Sequence, residues 1–168
     1  MPASPDDLFA TLDRLGIRHA TITHPPLFTV EESRRLRGAI GGQHTKNLFL
    51  KDKKDVVFLV VAPEDGAVDL KSLHRRLEAS GRFSFGSAAL MRELIGVEPG
   101  AVTPFAVMND AACRVRVVLD AGMMEAAVLN FHPLVNTMTT SIGRDDLMAF
   151  LRATGHEPRI LKLAEPPT

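Results

Sequence analysis

Tryptophan and tyrosine are absent from this chain of 168 residues, and cysteine occurs once. Without the two larger aromatics, and with phenylalanine scarce on candidate surfaces, the chain lacks a stacking platform for single-stranded nucleic acid. Cys113 alone cannot close an internal disulfide. Its place before the apolar run Val115 to Leu119 predicts a small buried hydrophobe in a reducing cytoplasm, rather than a nucleophile. No apolar run reaches the roughly 18 residues that a membrane span needs. The N-terminus, Met1-Pro2-Ala3-Ser4-Pro5-Asp6-Asp7, is acidic and proline-punctuated, the opposite of a signal peptide. Neither export nor membrane insertion is expected.

Charge of one sign is also missing, since 20 Lys and Arg meet 20 Asp and Glu. Locally the balance breaks: Arg34, Arg35, Arg37, Lys46, Lys51, Lys53 and Lys54 face only Asp52 between positions 34 and 54. That excess is either a solvated face or a seat for phosphates. The six histidines, His19, His24, His44, His74, His132 and His156, show no paired ligand spacing, and there is no Cys-x-x-Cys, so no metal is expected. Gly96 and Gly100 make neither a dinucleotide fingerprint nor a lysine-serine phosphate loop. No cofactor is called for.

What is present is a chain nearly half apolar, long enough for one globular domain over 1–168 with a core able to fold alone. Ser4 and Pro5 open an amphipathic helix to Leu15, which Gly16 stops. An extended piece, Ile17 to Thr23, follows. His24-Pro25-Pro26 breaks the chain, and Thr29 caps a second helix with Glu31 and Glu32 in its first turn and Arg34, Arg35 and Arg37 in its last; Gly38 ends it. His44 to Lys51 and Val56 to Ala62 read as a hairpin, whose second strand is apolar on both faces and therefore central. Asp69 caps a helix to about Ser80, and Ser87 caps another from Ala88 to Ile95. Strands are expected at Phe105 to Met108, Cys113 to Leu119, Val128 to Phe131, Thr137 to Ile142 and Arg159 to Leu163, with a helix from Asp145 to Ala153 and a loose proline tail. Strands in succession without regular alternation with helices predict a mixed α+β fold around a curved sheet.

Two constellations carry chemistry. In Gly42-Gln43-His44-Thr45-Lys46-Asn47-Leu48-Phe49-Leu50-Lys51 a lysine stands inside an apolar strand. Period two puts Lys46 on one face with Leu48 and Leu50, and Asn47 on the other with Phe49. An ammonium is costly to bury alone, so Lys46 either meets a substrate anion, hydroxyl or carboxylate, or snorkels to water past the leucines. Phe131-His132-Pro133-Leu134-Val135-Asn136-Thr137 packs an imidazole, an amide and a hydroxyl around a rigid bend, a set that hydrogen-bonds small polar ligands or simply builds a turn. Between them lies the loop Gly96 to Pro104, stiff at its prolines and open to close approach at its glycines.

Thr45-Lys46-Asn47-Leu48-Phe49-Leu50, Gly100-Ala101-Val102-Thr103-Pro104 and His132-Pro133 with Asn136-Thr137, in that order, resemble the YbaK and prolyl-tRNA-synthetase editing-domain family. Among its members they are most similar to the free-standing alanyl-tRNA(Pro) deacylases of the ProXp-ala or PrdX type. The resemblance implies a barrel-like curved sheet with surrounding helices, and hydrolysis of the ester joining a wrong amino acid to the terminal adenosine of a tRNA. It makes Lys46, Gly100 and His132 the catalytic set. Lys46 would hold the terminal nucleotide, and His132 would discriminate the amino acid. Asn47, Ala101, Val102, Thr103, Pro104, Asn136 and Thr137 would bind substrate, the loop backbone surrounding the ester and placing the attacking water. Ile40, Leu48 and Met138 are further wall candidates. The implied partner is aminoacylated tRNA, reached by the chain's own contacts or through prolyl-tRNA synthetase. Alternatives are a deacylase for cysteine or serine, or a module that grips tRNA or DNA without chemistry.

Overall fold

In the computed structural model, residues 1–26 and 30–165 are described. Thr29 and the prolines of the C-terminal tail therefore lie outside the described residues. The chain runs α1 (Pro5–Arg14), β1 (His19–Thr23), α2 (Val30–Ala39), β2 (Gln43–Lys51), β3 (Val57–Pro63), β4 (Ala67–Val68), α3 (Leu73–Arg76), β5 (Ser84–Phe85) and α4 (Ala88–Ile95). A buried 3-10 helix, Pro104–Asn109, then leads to β6 (Val115–Asp120), β7 (Val128–Phe131), β8 (Met138–Gly143), α5 (Arg144–Ala153), β9 (Arg159–Leu161) and β10 (Ala164–Glu165). The fold is mixed α+β, as expected.

Local chemistry explains the helix starts. Ser4 Oγ accepts the Asp7 amide while an Asp7 carboxylate oxygen accepts the Ser4 amide, a reciprocal cap that Pro5 preorganises. The Ser4 backbone and side chain together hold the Asp7 carboxyl below its ordinary pKa. Ser87 caps α4 on the Leu90 amide, and Gly96 ends that helix in the left-handed region at φ 64°.

The main sheet runs β1-β8-β7-β2-β3-β6-β9 and is mixed: β2 is antiparallel to β3 but parallel to β7, and β6 is parallel to both β3 and β9. β3 is buried along Val57–Ala62 because it feeds two cores. Val57, Leu59 and Val61 join the larger one, with Leu8 and Leu12 of α1, Leu94 and Ile95 of α4, and Phe150 of α5. Phe58 and Val60 join a smaller one with Leu50, Leu73, Leu77 and Val118.

Several expected boundaries move. Phe105 to Met108 is not a strand: Thr103 caps the segment on the Phe105 amide, Pro104 sets its first turn, and the Phe105 ring lies edge-on between Phe131 and Phe150, 5.7 and 5.5 Å away. The helix expected to run from Asp69 to Ser80 is one turn. Asp69 does cap the chain there, bonding the Lys71 amide and the Ser72 hydroxyl. Buried Asp52, however, takes the Ser80 amide, and Lys53 donates to the Ser80 carbonyl, drawing that end toward the β2–β3 turn. Gly38 does not end α2, which continues to Ala39. Cys113 is exposed, at φ 53°, because it closes a turn that the Asp110 carboxylate stitches through the Arg114 and Val115 amides.

Candidate active site

Where β2 and β7 part, a cleft opens. They pair in parallel through Gln43 with Leu129 and His44 with Asn130, and there the pairing stops. One more step of that register would set Thr45 beside Phe131, and a second would set Lys46 beside His132. The step is not taken because β7 ends at Phe131, Pro133 offers no amide, and Leu134 turns at φ 70°, a strained conformation for a leucine. Thr45 instead donates its hydroxyl to the Asn130 carbonyl at 2.8 Å. The gap is a cleft of about 200 Å³ lined by Thr45, Lys46, Asn47, Gly100, Val102 and His132.

The Lys46 ammonium does not stray into open solvent; it is hydrogen-bonded to the Gly66 carbonyl in the loop after β3. Across the cleft, His132 Nδ1 bonds the Met138 carbonyl at 2.9 Å. A carbonyl only accepts, so Nδ1 carries the hydrogen and Nε2 is left as an acceptor. Burial pushes the His132 pKa below its ordinary value; the Met138 bond opposes this and nearby His24, its ring centroid 6.2 Å away, adds to it. The imidazole is therefore neutral at pH 7.

The third wall is the loop after α4. Gly100, at φ 94°, takes a conformation that side chains rarely adopt, and a Cβ there would touch Asn136 Nδ2 at 3.5 Å. Ala101 donates its amide to the Glu98 carbonyl. Among the described residues the amides of Gly100 and Val102 have no partner, so the loop offers two unengaged donors beside the cleft. Arg92 grips Glu98 at 2.7 and 2.9 Å and anchors the loop to α4.

Of the residues singled out in the sequence, Lys46, Asn47, Gly100, Val102 and His132 meet on this cleft, while Asn136 stands behind Gly100. Ala101, Thr103 and Pro104 are buried beneath it. Thr137 is not part of the lining; its carbonyl accepts the His24 amide. The further wall candidates do not line it: Ile40 is buried, Leu48 packs on the smaller core, and Met138 contributes its carbonyl to His132. No group of three or more His, Cys, Asp or Glu able to hold a metal occurs among the described residues.

The family model for the aminoacyl-tRNA editing domain matches residues 24–150, which span all three walls. The chain belongs to the aminoacyl-tRNA editing domain family. Two curated relatives match this editing domain across nearly their whole length. Prolyl-tRNA synthetase associated domain-containing protein 1 of Xenopus laevis is 39% identical, over 92% of this chain and 94% of the relative. Prolyl-tRNA editing protein ProX of Acetoanaerobium sticklandii is 33% identical, over 93% of this chain and 95% of the relative. A solved structure described as a candidate trans-editing enzyme for prolyl tRNA synthetase shares the fold at a TM-score of 0.74 and 20% identity, covering 99% of both chains.

Three positions at or beside the editing domain's cleft carry little signal in the sequence. Thr45 belongs to the lysine motif yet is itself a wall, and Gly66, which holds Lys46, has no signal. His24 reads as a plain His-Pro break, yet it bonds Thr139 at 2.8 Å beside His132. Its pairing with His132 becomes visible only once β1 and β8 lie side by side. No helix among the described residues is long and apolar enough to cross a membrane.

Proposed function

We propose that this editing domain is a free-standing deacylase that clears alanine from proline tRNA. The observation that carries this reading is the convergence of Lys46, Asn47, Gly100 and His132 on a single small cleft from three separate parts of the chain. Lys46 holds the terminal nucleotide, with Gly66 keeping the ammonium in place. The ester carbonyl lies against the loop, where the free amides of Gly100 and Val102 meet the charge that develops on its oxygen. A water attacks that carbonyl, and the bond to the ribose oxygen breaks. The products are free amino acid and tRNA with its hydroxyl restored. An aminoacyl ester is already activated, so positioning and backbone donors supply most of the acceleration.

Size sets the choice of amino acid. A synthetase pocket shaped for proline rejects alanine weakly, because missing methylenes are worth about 1–3 kcal/mol. A second, smaller cleft with Val102 as its apolar wall completes the sieve by excluding the proline ring. Release of alanine, cysteine, serine and proline from the same tRNA tests the reading. Turnover of the alanyl ester well above its spontaneous rate, with prolyl-tRNA spared, is expected. Binding without accelerated hydrolysis of any ester would make the protein a tRNA-binding module instead, and faster release of cysteine or serine would reassign the substrate.

A further inference from the structure

Asp120 is a buried carboxylate that takes no part in the chemistry of the cleft. It ends β6 at 1% exposure, and no lysine, arginine or histidine pairs with it among the described residues. A carboxylate sealed from water is costly unless donors replace its hydration. Three amides do so: Oδ1 accepts from Leu163 at 2.7 Å and from Ala164 at 2.9 Å, and Oδ2 accepts from Met123 at 2.8 Å. Bonds to an ionised acceptor are about twice as strong as neutral ones. Two of the three tie down the last described stretch of the chain.

That stretch backs onto the acceptor of the cleft lysine. β10 pairs antiparallel with β4, Ala164 opposite Val68 and Glu165 opposite Ala67. β4 follows directly on Gly66, a buried residue whose amide closes a turn on the Pro63 carbonyl at 3.0 Å and whose carbonyl takes the Lys46 ammonium. The approach is close: a Cβ at Gly66 would lie 2.8 Å from the Ala164 Cβ, inside the roughly 3.5–4.0 Å at which carbons pack. Gly66 is thus wedged between its own turn and the Ala164 methyl. β10 also lies beyond residues 24–150, so the family model does not contain it.

We infer that Asp120 and Ala164 are positioning residues for Lys46. The carboxylate fixes β10, β10 fixes the Gly66 carbonyl, and that carbonyl holds the ammonium at the cleft wall. A long flexible stem is costly to order, and an acceptor already in place meets that cost before substrate arrives. The effect on rate rests on the proposed deacylase reading; the placement of the ammonium does not.

Two readouts test this, one of them independent of activity. Competitive acetylation of the lysines, resolved by mass spectrometry, reports how free the Lys46 amine is. Ala164→Pro removes an amide that Asp120 takes and breaks the short β10 ladder, while Leu163 stays in the smaller core. It is expected to raise Lys46 labelling at least 5-fold with Lys51, Lys53 and Lys54 unchanged, and to lower kcat/KM on alanyl-tRNA at least 10-fold. In a Lys46→Ala background its effect on rate should fall below twofold, because β10 then has no ammonium to place. Gly66→Ala should show the same two effects. Combining it with Ala164→Gly, which moves the methyl from one side of the contact to the other, should recover most of both. All assays run below the melting point of every variant, and if Ala164→Pro does not fold the methyl swap decides. Unchanged Lys46 labelling in either folded variant overturns the inference. So does a rate loss of equal size with and without the lysine, which would make β10 a structural clasp alone. If wild type hydrolyses no ester, the deacylase reading fails and labelling by itself decides the placement.

Discussion

In Lys46→Ala the scaffold loses one side-chain hydrogen bond, to the Gly66 carbonyl, and part of an aliphatic stem at the cleft wall. A hydrogen bond to a charged group is worth about 1.5–3 kcal/mol net when buried. This one is only part-buried, so the lower end of that range applies. For a protein of this length, about 1.5 kcal/mol lowers the melting temperature by roughly 3–6 °C. The functional loss is larger. If the ammonium faces the terminal nucleotide in the transition state, removing a charge-assisted contact costs about 1.5–3 kcal/mol there, or roughly 10- to 150-fold in kcat/KM. Multiple-turnover deacylation at a temperature well below both melting points reads the second quantity, and calorimetry reads the first. A variant whose kcat/KM stays within about twofold of wild type while its melt shifts as expected would make Lys46 a structural strut and remove it from the site. Lys46→Arg should not restore full activity, because a planar fork cannot copy a compact ammonium against both Gly66 and substrate.

Other outcomes follow from the same cleft. His132→Ala should change the alanine-to-serine preference or the rate by about tenfold or more, with a melting point close to wild type, since the ring is bonded at Nδ1 alone; unchanged rates on all four esters would take it out of the site. Because burial holds the His132 pKa below 6.5, the ring is neutral above that value, and activity corrected for spontaneous hydrolysis should be level from pH 8 to 6.5 and fall as the pH drops further. Stability follows the same sign: with the folded pKa below the unfolded one, the unfolded state binds the proton first, so stability is full above pH 6.5 and declines as the pH falls through the folded pKa, by about 1.4 kcal/mol per unit of depression. His132→Gln should flatten both profiles. Gly100→Ala should cost about 1–2 kcal/mol for its φ of 94°, seen as a lower melting temperature, and should cut activity further by shifting the loop amides; wild-type activity would separate that loop from the reaction.

What was legible in the sequence was largely what residues within four positions of one another decide. Ser4 with Pro5 and Asp7, and Ser87 before Ala88, mark helix starts because the capping bonds close locally. The doubly apolar run of β3 announced a central strand because burial on both faces leaves no position for a polar residue. The motif around Lys46 pointed to the cleft because a cation inside an apolar strand needs an explanation in any fold.

The rest depended on partners far along the chain. The segment from Phe105 has the composition of a strand, but its cap at Thr103 and the rings of Phe131 and Phe150 around Phe105 favour a buried 3-10 turn. The helix after Asp69 is cut short by Asp52, whose pull on Ser80 no local pattern records. Composition and spacing thus determined most of the elements, their order and which residues were worth suspecting. Tertiary structure alone decided that β2 and β7 separate after two paired residues, that Lys46 and His132 face each other across the gap, and that the Asn47 oxygen is left without a donor. Hydrogen bonding between distant strands is settled by which groups remain unpaired after the whole chain has packed, and that remainder is not written in any one stretch of it.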